Sequence, residues 1–192
     1  MTFDRHELDV IAAWVKKAQP RSGVFYRSVS YQYMDPEAVL DGKGALLYGG
    51  RFASVGTAAV YLAESDAVAS HEVTARKARL GGAAQISLDK YPRIVFTVDI
   101  TLQRVVDLTM KPLTRGMAPI RDKCLAIDDI TWSQQLGDFL VKSGVDGLLF
   151  QSAIGSGLNL IVYNQCCASG ALSLQNKREL LARLKKIATA AP

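Results

Sequence analysis

Short apolar runs, separated by polar or glycine-containing segments, are the feature that most constrains the fold of this 192-residue chain. Alternating or β-branched runs of this kind are typical of β-strands. They occupy residues 23–30, 58–63, 84–88, 93–100, 104–108, 145–151 and 158–164. None of them approaches the ~20 residues that a membrane-spanning helix needs. The runs therefore predict a sheet inside a globular domain.

Helical periodicity fills several of the intervening stretches. Apolar stripes predict helices over residues 4–18, 65–80, 132–143 and 172–187, with Asp4 as the cap of the first one. A short helix is predicted to open at Asp35-Pro36, because proline is favoured in a first helical turn. Residues 41–56 and 109–131 are predicted to be loops, the latter with short helical turns. Together these elements predict a single α+β domain with a split-sheet or sandwich core and peripheral helices.

Composition excludes several classes of protein. Hydrophobic residues make up 49% and charged residues 21% of the chain, which is enough apolar material for a core and argues against a disordered tail. Three cysteines, of which Cys166 and Cys167 are adjacent, argue against a disulfide scaffold and favour a reducing compartment. The N-terminus lacks the pattern of a signal peptide. We therefore expect a cytoplasmic protein without a membrane partner.

The formal net charge of +5 is modest and lies partly in residues 176–186. A solvated basic helix face is a simpler interpretation of it than a nucleic-acid surface. Aromatic residues, at 8% of the chain, are not interleaved with the basic ones, so a platform for stacking nucleobases is not indicated. We expect no direct nucleic-acid binding.

Most common catalytic and binding motifs are absent from the sequence. It has no GxxxxGK[ST] loop, no GxGxxG turn and no Gly-x-Ser-x-Gly elbow. It has two histidines, and no Cys or His pair has zinc spacing, so no metal site is expected. Cys124 is interpreted as a buried structural thiol rather than a nucleophile. The remaining candidates are arginines, tyrosines, one glutamate and a late Ser/Asn pair.

Glu72 is the glutamate with an unusual position. On the predicted helix 65–80, a polar stripe runs from Asp66 to Lys77, and Glu72 falls nearly opposite to it. One interpretation is an ion pair with Arg76, four residues later. The other is a carboxylate that lines a cleft and stabilises a developing cation. Periodicity alone favours neither.

A glycine-rich segment, residues 49–56 (Gly-Gly-Arg-Phe-Ala-Ser-Val-Gly), surrounds Arg51. Glycines allow the backbone to approach a ligand closely, and a guanidinium matches a phosphate or a carboxylate. The alternative is a tight turn with a surface arginine. Arg27, inside an apolar strand, is either on the solvent face or directed at an anion. Tyr61 is either a core residue or a ring that stacks on a flat ligand.

Taken together, these residues resemble the RES-domain family, bacterial toxins named for an arginine, a glutamate and a serine. The family pattern has an early strand arginine, a Gly-x-Arg-[Trp/Phe]-Asn-x-x-Gly loop, Tyr-x-x-x-Ser, a helix with Glu, and a late Ser-Ala followed by Asn. The matching residues here are Arg27, residues 49–56, Tyr61 with Ser65, Glu72, Ser152 with Ala153, and Asn159. The match spans about residues 24–165, and Ala53 stands where the family usually has asparagine.

The resemblance implies a fold similar to the ADP-ribosyltransferase toxins and an activity on NAD⁺. Members cleave the bond between nicotinamide and ribose, as glycohydrolases or phosphorylases. NAD⁺ would be the substrate, and no prosthetic group is implied. A helix-turn-helix antitoxin that covers the active site would be the partner. A protein mono-ADP-ribosyltransferase and a non-catalytic binding module with the same fold are the alternatives.

The resemblance also implies residue roles. Glu72 would stabilise an oxocarbenium-like ribose, as in glycoside hydrolysis. Arg27 and Arg51 would bind the pyrophosphate, and Tyr61 would stack on nicotinamide. Ser152 would hydrogen-bond the nicotinamide ribose or help to place Arg27, which completes the catalytic set. Asn159 would belong to the NAD⁺-binding set.

A single domain is expected over residues 1–192, with the core that carries these residues at about 24–165. The N-terminal helix 4–18 and the C-terminal helix 172–187 would be additions to that core.

Overall fold

A computed structural model describes residues 3–30, 33–70, 93–110, 117–125, 130–152, 156–175 and 177–182. The strands in these ranges are β1 Gln19–Ser30, β2 Ala59–Ala63, β3 Arg93–Asp107, β4 Gly147–Gln151, β5 Leu158–Tyr163 and β6 Leu172–Leu174. The helices with defined bounds are α1 Arg5–Lys16, α2 Lys43–Tyr48, α3 Met117–Leu125 and α4 Thr131–Lys142. Residues 66–70 and 177–182 are also helical.

The strands form one mixed sheet in the order β1-β2-β5-β4-β3-β6, with an additional pairing of β1 with β3. The β3–β4 pair is parallel and the others are antiparallel. Two junctions are narrow: β1 meets β2 at Tyr26 and Ala63, and β3 meets β4 only from Val105 to Asp107. The sheet is therefore split into a β1-β3-β6 half and a β2-β5-β4 half. This confirms the predicted single α+β domain.

Alternation along the strands separates two apolar clusters. One lies between the two halves of the sheet and includes Phe25, Val60, Leu62, Val98, Ile100, Leu102, Leu149, Leu160 and Val162. The other lies between the opposite face of the β2-β5-β4 half and helices α1, α3 and α4, and includes Ile11, Trp14, Ile120, Leu136, Leu140, Leu148, Phe150, Ile161 and Tyr163. Because side chains alternate with period two, the parity of each strand residue decides its face.

Helix α1 is tied to the helical layer through Glu7. Asp4 and Glu7 form a capping box, with Glu7 N donating to Asp4 Oδ1 at 2.8 Å and Asp4 N donating to Glu7 Oε2 at 3.0 Å. The Glu7 carboxylate also accepts from Lys123 Nζ at 2.7 Å and from Trp132 Nε1 at 3.2 Å. The hydrogen bond from Lys123 is the largest cause of a lowered pKa for Glu7. These contacts join the predicted N-terminal helix to α3 and α4, which also pack on the β2-β5-β4 half of the sheet.

Two segments predicted to be loops contain helices. Residues 41–56 contain α2, a six-residue helix without a side-chain cap, and residues 109–131 contain α3, which includes Pro119. Neither helix has a strong amphipathic stripe, so neither produces a periodic signal. The short helix predicted to open at Asp35-Pro36 is instead a turn at residues 36–40, in which Val39 N donates to Asp35 O at 2.8 Å.

The predicted C-terminal helix 172–187 is wrong at its beginning. Leu172–Leu174 is β6, which pairs antiparallel with β3, and the described helical residues are 177–182. Pairing with the edge of β3 places Leu172 and Leu174 against the apolar cluster that lies between the two halves of the sheet. The strands predicted at 93–100 and 104–108 are one continuous strand, β3. The strand predicted at 84–88 lies outside the described residues.

Candidate active site

The glycine-rich segment 49–56 forms a tight turn between α2 and β2. Gly50 N donates to Ala53 O at 2.8 Å, and Ala53 N donates to Gly50 O at 3.4 Å, so Arg51 and Phe52 occupy the corner. Phe52 is fully buried, with its ring centroid 4.7 Å from that of Phe150. The turn is thus anchored by Phe52 and presents the half-buried Arg51.

Tyr61 on β2 is in direct contact with this turn. Its hydroxyl oxygen accepts a hydrogen bond from Phe52 N at 3.0 Å. A Cβ at Gly50 would lie 2.5 Å from Tyr61 Oη and 2.9 Å from two ring carbons, so position 50 has no room for a side chain. The turn therefore fixes the orientation of the half-buried Tyr61 ring.

Arg51 is held against aromatic surface. Its guanidinium carbon lies 5.4 Å from the Phe52 ring centroid and 5.9 Å from the Phe150 centroid, both within cation–π range. Phe150 on β4 lies opposite the buried Asn159 on β5. Tyr61 on β2 lies opposite Ile161, which is two residues after Asn159 on β5. Strand parity therefore places Tyr61, Phe150 and Asn159 on one face, and Arg51 lies over it.

Arg27 reaches the site from the other face. By parity it lies beside Phe25 and Val29 on β1, and its Nη1 donates to the main-chain oxygen of Tyr61 at 3.1 Å. Its Nε is buried and has no hydrogen-bond partner among the described residues. Burial lowers the pKa of Arg27 to about 10, so the group remains cationic at neutral pH. The structure thus brings Arg27 to the backbone of Tyr61.

Ser152 follows β4, where its N donates to Gly157 O at 2.8 Å and closes the β4–β5 connection. Gly157 has φ 150°, and a Cβ there would collide with the side chain of Val68. Val68 belongs to the helical turn that begins at residue 66, and its N donates to Ser65 Oγ at 3.1 Å, an N-cap contact. The connection that carries Ser152 therefore packs against the start of the helix predicted to carry Glu72.

Glu72, Arg76 and Ala153 lie outside the described residues, so both interpretations of Glu72 stand as predictions. The first turn of its predicted helix agrees with the expected stripe: Asp66 and Ser70 are exposed, whereas Val68 and Ala69 are buried.

Helix α4 contributes contacts that the sequence interpretation missed. Gln134 Nε2 donates to Gly50 O at 3.0 Å and to Ala53 O at 3.5 Å, and Ser54 Oγ donates to Asp138 Oδ2 at 2.8 Å. The intervening Gly137 touches the turn so closely that a Cβ would collide with Phe52 O. The spacing of 134, 137 and 138 on one helical face was the available signal.

Tyr163 braces the same turn from β5. It is fully buried, and its hydroxyl donates to Phe52 O at 3.1 Å. Burial is the first cause that raises the pKa of Tyr163 well above its ordinary value, so the hydroxyl keeps its proton and remains a donor.

Cys124 behaves as a buried structural thiol, as predicted. Its Sγ donates to Ile120 O at 3.2 Å, and burial raises its pKa to about 12, which removes the thiolate that a nucleophile needs. Within the described ranges, no three His, Cys, Asp or Glu residues are grouped as metal ligands would be. None of the helices described is both long and apolar enough to cross a bilayer.

Comparison with known proteins identifies relatives of this chain. The NAD(+) phosphorylase MbcT of Mycobacterium bovis and that of Mycobacterium tuberculosis are each 27% identical over 168 residues, which cover 86% of this chain and 89% of theirs. The crystal structure of the M. tuberculosis MbcT–MbcA toxin–antitoxin complex matches with a TM-score of 0.70 and 26% identity, over 93% of this chain and 98% of that one. The RES domain model matches residues 24–181, from β1 through the glycine-rich turn to the last described helix, and the chain therefore belongs to the RES domain family.

Proposed function

We propose that this protein is an NAD⁺-consuming toxin that cleaves the nicotinamide–ribose bond and transfers the ribosyl group to phosphate or water. Membership of the RES domain family and the similarity to MbcT, named as an NAD(+) phosphorylase, support the activity. The single observation in the structure that carries the proposal is the braced turn at Gly50–Ala53. It holds a cationic Arg51 and an oriented Tyr61 ring on one sheet face.

Arg51 and Tyr61 are suited to two groups of the substrate, the pyrophosphate and the nicotinamide ring. The pyrophosphate is a dianion, and a guanidinium can donate two parallel hydrogen bonds to it. Arg51 lies against two rings, which limits the freedom that it would lose on binding. The ring of Tyr61 provides a flat surface on which the nicotinamide stacks. Asn159, on the same face, donates or accepts at the ribose.

The chemical step breaks the bond between ribose C1′ and the nicotinamide nitrogen. The electron pair leaves with nicotinamide, which becomes neutral, so no general acid is required. The ribose passes through an oxocarbenium-like state, to which a phosphate or water oxygen adds at C1′ and releases its proton to solvent. Glu72 supplies the carboxylate that stabilises this cation. Such fixed electrostatic contacts are the main catalytic contribution of a site of this kind.

Arg27 and Ser152 complete the proposed catalytic set. Arg27 binds the main chain of Tyr61 and so holds β2 against β1, while its charge adds to the attraction for the pyrophosphate. Ser152 stands at the end of β4, beside the start of the helix predicted to carry Glu72, where its hydroxyl orients the nicotinamide ribose.

We also propose a cytoplasmic location and restraint by an antitoxin with a helix-turn-helix domain that covers this site. The match to a toxin–antitoxin complex supports a protein partner. Since Arg27 and Arg51 make the site cationic, the covering segment should carry carboxylates.

The proposal is tested by incubating the purified protein with NAD⁺, with and without inorganic phosphate, and separating the products. Phosphorolysis would give nicotinamide and phosphorylated ADP-ribose only when phosphate is present. Hydrolysis would give nicotinamide and ADP-ribose in both reactions. Label transferred from NAD⁺ to a protein would support a mono-ADP-ribosyltransferase instead. Nicotinamide release no faster than without the protein would refute NAD⁺ cleavage and leave a binding module.

A further inference from the structure

The turn that carries Arg51 forms hydrogen bonds with three other elements, β2, β5 and α4. Tyr61 on β2 accepts from Phe52 N, and Tyr163 on β5 donates to Phe52 O. These two contacts hold the buried corner residue. They do not hold the two carbonyl groups that flank the corner, those of Gly50 and Ala53.

Both flanking carbonyls are bound by one amide. Gln134 Nε2 lies 3.0 Å from Gly50 O and 3.5 Å from Ala53 O, so the same NH₂ group closes the two ends of the turn from outside. Ser54, the next residue, is fixed to the same helix by its 2.8 Å bond to Asp138. Helix α4 therefore determines how the turn is seated on the sheet.

The identity of residue 53 explains why this support comes from another element. Ala53 is fully buried and has no polar side-chain atom, so within the turn the two carbonyls are bound by main-chain N–H groups alone, Gly50 O at 3.4 Å and Ala53 O at 2.8 Å. The bond from Ala53 N to Gly50 O is long, and the amide of Gln134 supplies a second donor to both carbonyls, each of which has two lone pairs.

We infer that Gln134 is a positioning residue for Arg51: by donating to both ends of the turn, it fixes the direction in which the guanidinium meets the substrate pyrophosphate. The inference rests on the proposed function, because it assigns Arg51 to NAD⁺. Gln134 itself does not touch the substrate. Its effect is on substrate binding, through the geometry of Arg51, and not on bond cleavage.

The test compares Gln134→Met with Gln135→Met. Methionine keeps the length of glutamine and lacks the NH₂ group, and Gln135 is the adjacent glutamine, which projects from α4 about 100° around the helix axis from Gln134. Loss of one such hydrogen-bonding group should raise the KM for NAD⁺ about fivefold to tenfold in Gln134→Met, with kcat within about twofold of wild type. Gln135→Met should match wild type in both constants.

A second readout does not depend on activity. Trypsin cleaves after arginine, and cleavage after Arg51 reports local opening of the turn. It should accelerate about fivefold to tenfold in Gln134→Met, while the Tm stays near that of wild type. Gln134→Glu keeps the shape of the side chain but places a carboxylate against two carbonyl oxygens. It should weaken NAD⁺ binding at least as much as Gln134→Met does, and it provides the test if Gln134→Met does not fold.

The outcomes separate the two proposals. Wild-type KM and wild-type protection from trypsin in both Gln134 variants, beside an active wild type, would overturn the role of Gln134 alone. Faster cleavage with an unchanged KM would overturn it as well, because the ordered turn would then not position the substrate. A wild-type protein that releases no nicotinamide would overturn the proposed function, and with it the inference.

Discussion

Arg51 depends on residues that are not themselves charged. Gly50 makes room for the Tyr61 ring, and Phe52 anchors the corner in the core. The main-chain N and O of Phe52 are bound by the hydroxyl groups of Tyr61 and Tyr163. The sequence marks Arg51, the glycines of its segment and Tyr61 as candidates, but it interprets the glycines as room for a ligand, whereas Gly50 makes room for the Tyr61 ring. It does not predict the role of Tyr163, because that contact joins positions 111 residues apart.

Replacing Arg51 should weaken NAD⁺ binding more than it changes the chemical step. Arg51→Ala should raise KM about tenfold to a hundredfold, the range for charge-assisted hydrogen bonds. Arg51→Lys should recover little of this loss, because an ammonium lacks the planar fork. Steady-state kinetics with NAD⁺ measures both variants, and Arg5→Ala on the exposed side of α1 is the control. Wild-type KM in Arg51→Ala would remove Arg51 from the binding site.

Gly50→Ala should lower both stability and activity, because its Cβ would meet Tyr61 Oη at 2.5 Å and one of the two groups must move. We expect a loss of about 1–3 kcal/mol in the free energy of unfolding, as for overpacked cores. Gly44→Ala is the matched control, since nothing lies within 4 Å of a Cβ at that position in α2. Urea unfolding gives the free energy of unfolding of both variants. Equal values for the two would show that the Tyr61 ring leaves room for a side chain at position 50.

Elements with strong periodicity were predicted correctly, and elements without it were missed. α1, α4, β2, β4 and β5 each have a clear helical stripe or an apolar run, and their predicted positions are confirmed. β6 could not be predicted, since three residues form a strand only where another strand supplies the partner atoms. Gln134 was missed for a similar reason: the spacing of 134, 137 and 138 marks one face of α4, but it does not show that this face packs against the turn.

The link between α1 and the helical layer makes a pH-dependent contribution to stability. Glu7 has a lowered pKa in the folded state, first because Lys123 donates to it. Its stabilisation is therefore present above the unfolded pKa of 4.5 and is lost as the pH falls through the folded value.

We therefore expect the Tm of wild type to fall more steeply than that of Glu7→Gln as the pH is lowered from 6 through the region of about 4.5. Thermal unfolding followed by circular dichroism gives both curves. Glu37→Gln, at the exposed ion pair with Lys177, serves as the control and should keep the wild-type slope. Parallel curves for wild type and Glu7→Gln would mean that the buried carboxylate is not the group that titrates.

At the scale of the whole molecule, the proposed reaction uses acceptors that the cell cannot exhaust. Water and phosphate are abundant, so an unrestrained enzyme consumes NAD⁺ as fast as it turns over. Tyr61 and Asn159 share one face of the split sheet by strand parity, with Arg51 over it, so the proposed site lies at one place in the fold.

Expression of this chain alone in bacteria should lower cellular NAD⁺ and slow growth, whereas Glu72→Gln should do neither. Removal of one electrostatic contact to the transition state reduces turnover by about 10²–10³. Glu64→Gln, at an exposed glutamate just before the helical residues 66–70, is the control and should be as toxic as wild type. Arrested growth at constant NAD⁺ would favour the protein ADP-ribosyltransferase.

The distance along the chain between the turn and its supports has a consequence for biosynthesis. A ribosome that has completed β2 has made Arg51 and Tyr61, but it has not yet made Gln134, Asp138 or Tyr163, which hold the turn in place. Domains fold as their chains are delivered from the N-terminus. The turn that orients Arg51 is therefore not complete until nearly the whole sheet has emerged, so the proposed activity should begin only at the end of synthesis.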